Sequence, residues 1–170
     1  IAGGFYLKEG QLIDHRGKEP RPLLAIDQLK ITGIHNQANA LAAAATALSS
    51  GATIQAVVET LSTFPGLPHR MEWIKTVDSI PYYNDSKGTN VGALLQSLAS
   101  FPNKLVLIAG GRDKNSDFSP LVDLVEKYVP NLILIGEAAQ AMEKIFAGHT
   151  KIEHADSMKQ AVALAHKRAK

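Results

Sequence analysis

Strand-like and helix-like segments alternate from about residue 72 onward, and this alternation constrains the fold more than any other feature of the chain. Short apolar runs at residues 105–109 and 132–135 are separated by segments with helical spacing at 120–128 and 138–146. Parallel strands need a crossover connection, which is usually a helix. The pattern therefore predicts an α/β domain with a mainly parallel, Rossmann-like sheet and flanking helices.

The first 66 residues follow a different pattern. Strand-like runs at 5–7, 11–13 and 21–26 precede an alanine-rich helix at about 36–50, and Thr53 is placed to cap a second helix. Three short strands bury too little apolar surface to make a domain alone. Pro65 and Pro68 then mark an interdomain linker. We expect two parts, residues 1–66 from the end of one domain and residues 67–170 from an α/β domain.

Composition excludes several classes of protein. The chain has no cysteine, so disulfides and thiolate metal sites are absent, which is compatible with a cytoplasmic location. The net charge is only +2, and the basic run at 166–170 is typical of a solvated helix end, so a nucleic-acid partner is not expected. No apolar run reaches the roughly 20 residues that span a membrane. The chain opens on Ile1 without a signal-peptide pattern, as expected of a chain entered partway.

Two clusters of candidate residues precede the first predicted strand of the α/β domain, which begins at about residue 72. Asn36 and Asn39 are three residues apart, so their amides share a helix face and can meet a purine edge. The alternative is that Asn36 is an N-cap and Asn39 an exposed polar residue. His69 and Arg70 follow the linker, where an arginine can clamp a phosphate. The alternative there is a surface arginine beside a solvated histidine.

A third cluster occupies residues 84–90, between a predicted strand and a helix. Ligands of open parallel sheets bind beyond the carboxyl ends of strands, and this segment occupies such a position. Asp85 can accept hydrogen bonds from ribose hydroxyls, and Lys87 and Thr89 can hold an anion near a helix N-terminus. Segments of this composition also serve as plain turns and caps.

A fourth cluster, residues 110–117, also follows a predicted strand. Gly110 and Gly111 would let a ligand approach the backbone, while Arg112 and Lys114 suit a dicarboxylate or a phosphate. Asp117 is placed to cap the next helix. The chain contains no G-x-x-x-x-G-K-[ST] phosphate loop, no G-x-S-x-G nucleophile motif and no histidine pair with zinc-site spacing.

These clusters, taken in order, resemble the Mur ligases of peptidoglycan synthesis, and most specifically the members that add D-glutamate. The resemblance runs from about Leu29 to the end of the chain and rests on four strings. They are G-I-H-N-Q-A-N at 33–39, F-P-G-L-P-H-R-M-E at 64–72, N-D-S-K-G-T-N at 84–90 and G-G-R-D-K-N-S-D-F at 110–118. H-N-x-x-N and H-R are shared widely in the family, whereas N-D-S-K-x-T-N distinguishes the D-glutamate-adding branch.

The resemblance implies an ATP- and Mg²⁺-dependent reaction that joins D-glutamate to UDP-N-acetylmuramoyl-L-alanine through an acyl phosphate. By similarity, Asn36 and Asn39 would contact adenine, Asp85 the ribose region, and His69 and Arg70 the phosphate side of the nucleotide site. It likewise implies that Lys87, Thr89 and Lys114 hold D-glutamate. The implied enzyme is a cytoplasmic monomer with small-molecule substrates, acting in cell-wall synthesis and so in cell shape and division.

The resemblance also implies that much of such an enzyme lies outside this sequence. Residues 1–66 would be the helical tail of the central ATPase domain, and 67–170 an incomplete C-terminal domain. The phosphate loop and the metal ligands would belong to the missing part, so no catalytic or metal-binding residue is assigned here, and the piece alone is expected to be inactive. Two other interpretations stay open: another Mur-type or folylpolyglutamate-type ligase, and a non-enzymatic α/β nucleotide-binding module.

Overall fold

A computed structural model describes residues 4–112 and 116–169. The chain forms two compact units, Ile1–Met71 and Glu72–Lys170. The division follows closely after the predicted linker prolines, Pro65 and Pro68. Among the described residues, no helix is long and apolar enough to cross a membrane.

The first unit is an antiparallel three-stranded sheet followed by two helices. Glu9 and Gly10 form the turn of the first hairpin, both with positive φ (50° and 73°), as a two-residue hairpin turn requires. Thr53 caps the second helix as predicted, accepting a hydrogen bond from the Ala56 amide at 3.2 Å. The elements are β1 (Phe5–Lys8), β2 (Gln11–Asp14), β3 (Arg21–Ala25), α1 (Ile34–Ser49) and α2 (Ile54–Thr63).

The core of the first unit lies between its sheet and its helices. α1 contributes Ala40, Ala44 and Leu48, which recur every four residues and so share one helix face. Two of these three are alanines, which take up little space between a helix and what it packs against. The strands contribute Leu12 and Leu24, both buried. This packing gives the unit a hydrophobic core of its own.

A bidentate ion pair ties β2 to the end of α1. Arg16 donates from Nε and Nη2 to the two carboxylate oxygens of buried Asp14, each at 2.9 Å. Its Nη1 donates at 3.0 Å to the Leu48 carbonyl, in the last turn of α1. The Arg16 hydrogen bonds hold the pKa of Asp14 below its usual range.

We expect Asp14→Asn to lower the melting temperature of the chain at neutral pH, because an uncharged amide with a single acceptor oxygen cannot form the bidentate ion pair with Arg16. A carboxylate whose folded pKa is depressed stabilises the fold above its unfolded pKa of about 3.9, and this stability is lost as pH falls through the folded pKa. The difference in melting temperature between wild type and variant should therefore become smaller as pH is lowered below about 4. Thermal melts across this range test it, with exposed Glu19→Gln as control. A pH-independent gap would contradict it.

The second unit contains the predicted alternation of strands and helices. A short 3₁₀ turn at Ser119–Leu121 precedes the helix predicted at residues 120–128, which begins at Val122. The other boundaries lie within about two residues of those expected from sequence. The elements are β4 (Glu72–Val77), β5 (Ile80–Asn84), α3 (Val91–Ala99), β6 (Val106–Gly110), α4 (Val122–Tyr128), β7 (Asn131–Ile135), α5 (Ala139–Phe146), β8 (Lys151–Ala155) and α6 (Met158–Arg168).

The strands of this unit form two separate sheets. β6, β7 and β8 make a parallel sheet in that order, which confirms the predicted Rossmann-like class. β4 and β5 instead form an antiparallel hairpin of their own. The expectation that residues 84–90 follow a strand of the parallel sheet is therefore wrong. β5 pairs with β4 instead because of the tight turn at Asp78 and Ser79. These two residues have positive φ (50° and 64°) and fold β5 back onto β4.

Both faces of the parallel sheet are covered by helices. Leu132 and Leu134 of β7 belong to the core formed with α3, α4 and α5. Ile133, the residue between them, packs on the other face with Ala161 and Ala165 of α6. Alternate residues of a strand point to opposite faces, so this arrangement buries all three side chains completely.

The basic C-terminal run takes part in contacts within the unit instead of being only solvated. His166 Nδ1 lies 2.6 Å from the Tyr82 hydroxyl of β5, and its Nε2 lies 3.3 Å from Asp78 Oδ2. Arg168 forms a bidentate pair with Glu153 of β8, at 2.7 and 3.0 Å. These contacts attach α6 to the hairpin and to β8.

Candidate functional site

Residues 85–88 form a tight turn between β5 and α3. The Gly88 amide donates to the Asp85 carbonyl at 2.8 Å, which places Ser86 and Lys87 at the two corners of the turn. The Ser86 amide also donates to Asn84 Oδ1 at 3.1 Å. The turn is therefore fixed by backbone and asparagine hydrogen bonds, which leaves its corner side chains to project.

The side chains at this turn are presented close to the start of a helix. Lys87 and Thr89 are exposed. Asn90 is the N-cap of α3, and its Oδ1 accepts from the Ala93 amide at 2.8 Å. A cation and a hydroxyl near a helix N-terminus make a setting that favours a carboxylate. The structure thus brings Lys87 and Thr89 into the same loop as Asp85.

Asp85 is anchored by a residue that sequence reasoning missed. Ser97 of α3 donates to Asp85 Oδ2 at 2.5 Å. Ser97 is itself buried beside Leu98, among the apolar residues of that helix. A serine on the buried face of a helix was the only signal in the sequence, and it carried no indication of its partner, which is 12 residues away.

Gly110, the last residue of β6, and Gly111, which follows it, have different roles. A Cβ at Gly110 would lie 1.8 Å from the Ile135 carbonyl oxygen, so this residue must be glycine because the β7 backbone passes there. The interpretation that Gly110 makes room for a ligand is therefore wrong. Gly111 has φ +105°, and among the described residues no atom lies within 4 Å of an added Cβ. Its amide donates to the Ile135 carbonyl at 2.9 Å.

The remaining candidates of the fourth cluster are described in part. Arg112 is exposed, whereas Lys114 lies outside the described residues. Asp117 Oδ1 accepts from the Ser119 amide at 2.9 Å, but the N-cap of the 3₁₀ turn is Phe118 and that of α4 is Leu121, so the expectation that Asp117 caps the next helix is wrong. The hydrogen bonds from Ser119 lower the pKa of Asp117.

Asn36 and Asn39 lie side by side in the first unit, as their spacing predicts. Asn39 Nδ2 donates to Asn36 Oδ1 at 3.3 Å, and Asn36 Nδ2 donates to the Thr32 carbonyl at 2.7 Å. The N-cap of α1 is Gly33, so the alternative that Asn36 is the cap is wrong. The helix simply begins two residues earlier than the sequence indicated. The two amides form a polar pair in the first turns of α1.

His69 and Arg70 occupy a strained segment at the end of the first unit. Both side chains are exposed. His69 and Met71 have positive φ (64° and 46°), which is uncommon for residues other than glycine. The Arg70 amide donates to the Leu67 carbonyl at 3.2 Å, closing a turn from the linker. This turn holds Arg70 close to the linker.

The described residues also contain a shallow cleft that none of the predicted site residues lines. It has a volume of ≈ 330 Å³ and lies where β7 and β8 end. Its polar side chains are Gln140, His154 and Asp156. No group of three or more His, Cys, Asp or Glu that could hold a metal occurs within residues 4–112 and 116–169.

Comparison with known proteins places these features in one family. Residues 69–170 match the family model described as Mur ligase, glutamate ligase domain. The UDP-N-acetylmuramoylalanine–D-glutamate ligase of Geotalea uraniireducens is 40% identical over 167 residues, covering 98% of this chain and 37% of that protein. The Coxiella burnetii ligase of the same name is 44% identical over 173 residues, covering 99% of this chain and 39% of that protein. The chain thus spans little more than a third of these relatives.

Solved structures show the same fold at lower identity. The UDP-N-acetylmuramoylalanyl-D-glutamyl-2,6-diaminopimelate–D-alanyl-D-alanyl ligase of Acinetobacter baumannii has a TM-score of 0.70 at 20% identity, covering 96% of this chain and 36% of that one. The UDP-N-acetylmuramate–alanine ligase of Thermotoga maritima has a TM-score of 0.63 at 15% identity, covering 87% of this chain and 35% of that one. With the family model matching well over half of its residues, this chain belongs to the Mur ligase family.

Proposed function

We propose that this chain is part of a cytoplasmic, ATP-dependent ligase that forms an amide bond between UDP-N-acetylmuramoyl-L-alanine and D-glutamate. The observation that carries the proposal is 40% identity, over 98% of the chain, to a relative with that named activity. The N-D-S-K-G-T-N string at 84–90 supports the choice of amino acid. Below, "the full-length ligase" means a protein of the relatives' length that contains this chain.

The proposed chemistry solves a specific problem. A carboxylate resists attack by an amine because it is negatively charged and lacks a good leaving group. Transfer of the ATP γ-phosphoryl group to a carboxylate oxygen releases ADP and makes an acyl phosphate. The amine nitrogen of D-glutamate then attacks the acyl carbon, phosphate departs with its bridging oxygen, and the nitrogen loses a proton. Such reactions depend chiefly on positioning and on neutralising charge.

We assign the nucleotide contacts to the residues that the family resemblance implies. The Asn36 and Asn39 amides, 3.3 Å apart, offer donors and acceptors to adenine. The Asp85 carboxylate, oriented by Ser97, would accept hydrogen bonds from the ribose. The exposed side chains of His69 and Arg70 would lie along the phosphates, where a guanidinium pairs well with oxyanions.

We assign D-glutamate to Lys87, Thr89 and Lys114. A substrate with two carboxylates is held best by two cations, with neutral donors such as a hydroxyl adding hydrogen bonds. Lys87 and Thr89 are exposed in one loop at the start of α3, in agreement with this role. Lys114 is assigned from the sequence string alone.

Mg²⁺ is expected to serve the phosphoryl transfer by neutralising phosphate charge. The described residues contain no candidate centre for it, so they do not fit the ion, and its ligands would have to come from elsewhere in the full-length ligase. We accordingly propose that the present chain does not turn over substrate by itself. We further propose that the full-length ligase is a monomer that acts on small-molecule substrates and has no nucleic-acid partner.

The test is ADP release by the full-length ligase with a panel of substrates. We expect release to require both UDP-N-acetylmuramoyl-L-alanine and D-glutamate, with little release for L-glutamate, L-alanine or a folate acceptor. The present chain alone, as matched control, should release no ADP above background. Equal rates with another amino acid would refute the assignment of D-glutamate, and release with a folate acceptor would favour the folylpolyglutamate-type alternative.

A further inference from the structure

Ser97 of α3 donates a hydrogen bond to a side chain outside its own helix, the Asp85 carboxylate. It is 8% exposed, and its Oγ lies 2.5 Å from Asp85 Oδ2 and 3.0 Å from the Ala93 carbonyl oxygen. A hydroxyl has one hydrogen to donate, and a carboxylate is the stronger acceptor of the two. By comparison, Ser100, the C-cap of the same helix, has its Oγ 2.7 Å from the Gln96 carbonyl oxygen, an ordinary bond one turn back.

The Asp85 carboxylate is confined from a second side as well. The same Oδ2 would lie only 3.0 Å from a Cβ at Gly88, so the turn passes close beside it. The Gly88 amide in turn donates to the Asp85 carbonyl at 2.8 Å. Ser97 from the helix and Gly88 from the turn therefore restrict the rotation of this side chain.

We propose that Ser97 is a positioning residue, which orients the Asp85 carboxylate before the nucleotide binds. This inference rests on the proposed function, in which Asp85 accepts from the ribose. A carboxylate offers about four acceptor positions, so a bond from Ser97 is compatible with another from a ribose hydroxyl. A side chain already held in its binding orientation loses less conformational freedom when the ligand arrives, which favours binding.

The experiment is a double-mutant cycle in the full-length ligase, with steady-state kinetics for each substrate. Loss of one neutral-donor hydrogen bond corresponds to about fivefold in affinity, so Ser97→Ala should raise KM for ATP about fivefold. The kcat and the KM for D-glutamate should stay near their wild-type values, because ribose contacts are the same in ground and transition states. In a ligase that already carries Asp85→Ala, adding Ser97→Ala should not change KM for ATP any further.

Two further variants separate positioning from a structural role. Ser100→Ala removes the hydroxyl of the α3 C-cap, which also bonds a carbonyl one turn back, and should leave KM for ATP unchanged. Ser97→Thr keeps the hydroxyl and should restore most of the affinity for ATP. A full Ser97→Ala effect in the Asp85→Ala background, or no difference from Ser100→Ala, would overturn the proposal. If Asp85→Ala itself leaves KM for ATP unchanged in an active ligase, the proposed ribose contact has failed, and this inference fails with it.

Discussion

Replacing Lys87 by alanine should lower kcat/KM for D-glutamate about 100-fold or more in the full-length ligase, the largest effect on activity that we expect from any residue described. Most of the loss should appear as a raised KM for D-glutamate. KM for ATP should change little, because Lys87 is assigned to the amino-acid substrate.

The expected size follows from the position of Lys87. Its side chain projects from a corner of the turn at 85–88, which is held by the Gly88 and Ser86 hydrogen bonds, so the ammonium group is presented from a rigid support. A charge-assisted hydrogen bond to a carboxylate is roughly twice as strong as a neutral one. Leaving that carboxylate unpaired in a closed site costs several kcal/mol, about 2–5.

The measurement is amide formation at varied D-glutamate concentration, with melting temperatures to show that each variant is folded. Lys104→Ala, an exposed lysine of the same unit, is the matched control and should behave as wild type. Lys114→Ala is expected to resemble Lys87→Ala. Indistinguishable kinetics for Lys87→Ala and Lys104→Ala would remove Lys87 from the site.

Gly110→Ala should destabilise the chain by at least about 4 kcal/mol, the largest stability effect we expect. The added Cβ would lie 1.8 Å from the Ile135 carbonyl oxygen and 2.9 Å from its carbon, both of which are backbone atoms. Relief of this clash would require the ends of β6 and β7 to separate. It would also break the 2.9 Å bond from the Gly111 amide to the same carbonyl.

Gly111→Ala is the matched control, because it changes the neighbouring residue in the same way. Its φ of +105° makes an alanine strained, but no atom of the residues that the structure describes lies within 4 Å of the added Cβ. We expect a cost of about 1–2 kcal/mol for the backbone strain alone. Urea unfolding of both variants measures the difference, and equal destabilisation would show that contact with Ile135 is not what requires glycine at 110.

The features that sequence predicts best in this chain are those with a local cause. The turn at Glu9 and Gly10 lies between two short apolar runs and contains a glycine. Thr53 caps α2 by accepting a hydrogen bond from the amide three residues further on. The parallel sheet is also predictable, because completely buried strands such as β7 are apolar at consecutive positions. Each of these signals lies within a few residues of the structure that it predicts.

The features that sequence does not predict depend on contacts between distant residues. Nothing in the local pattern of Gly110 indicates that the Ile135 carbonyl lies against it. Ser97 and His166 are similar cases, since their partners Asp85, Tyr82 and Asp78 belong to other elements. The roles of Asn36, Lys87 and the other site residues stay predictions, because local geometry shows what a side chain can do but not which ligand it meets.

The most direct test of the central claim is a chimeric ligase in which this chain replaces the matching segment of the Geotalea uraniireducens relative, 40% identical over 167 residues. The measurement is incorporation of radiolabelled D-glutamate into UDP-N-acetylmuramoyl-L-alanine in the presence of ATP. We predict incorporation that depends on both substrates and is lost on Lys87→Ala. A folded chimera that uses another amino acid, or that keeps its activity without Lys87, would contradict the claim that this chain holds D-glutamate in the ligase.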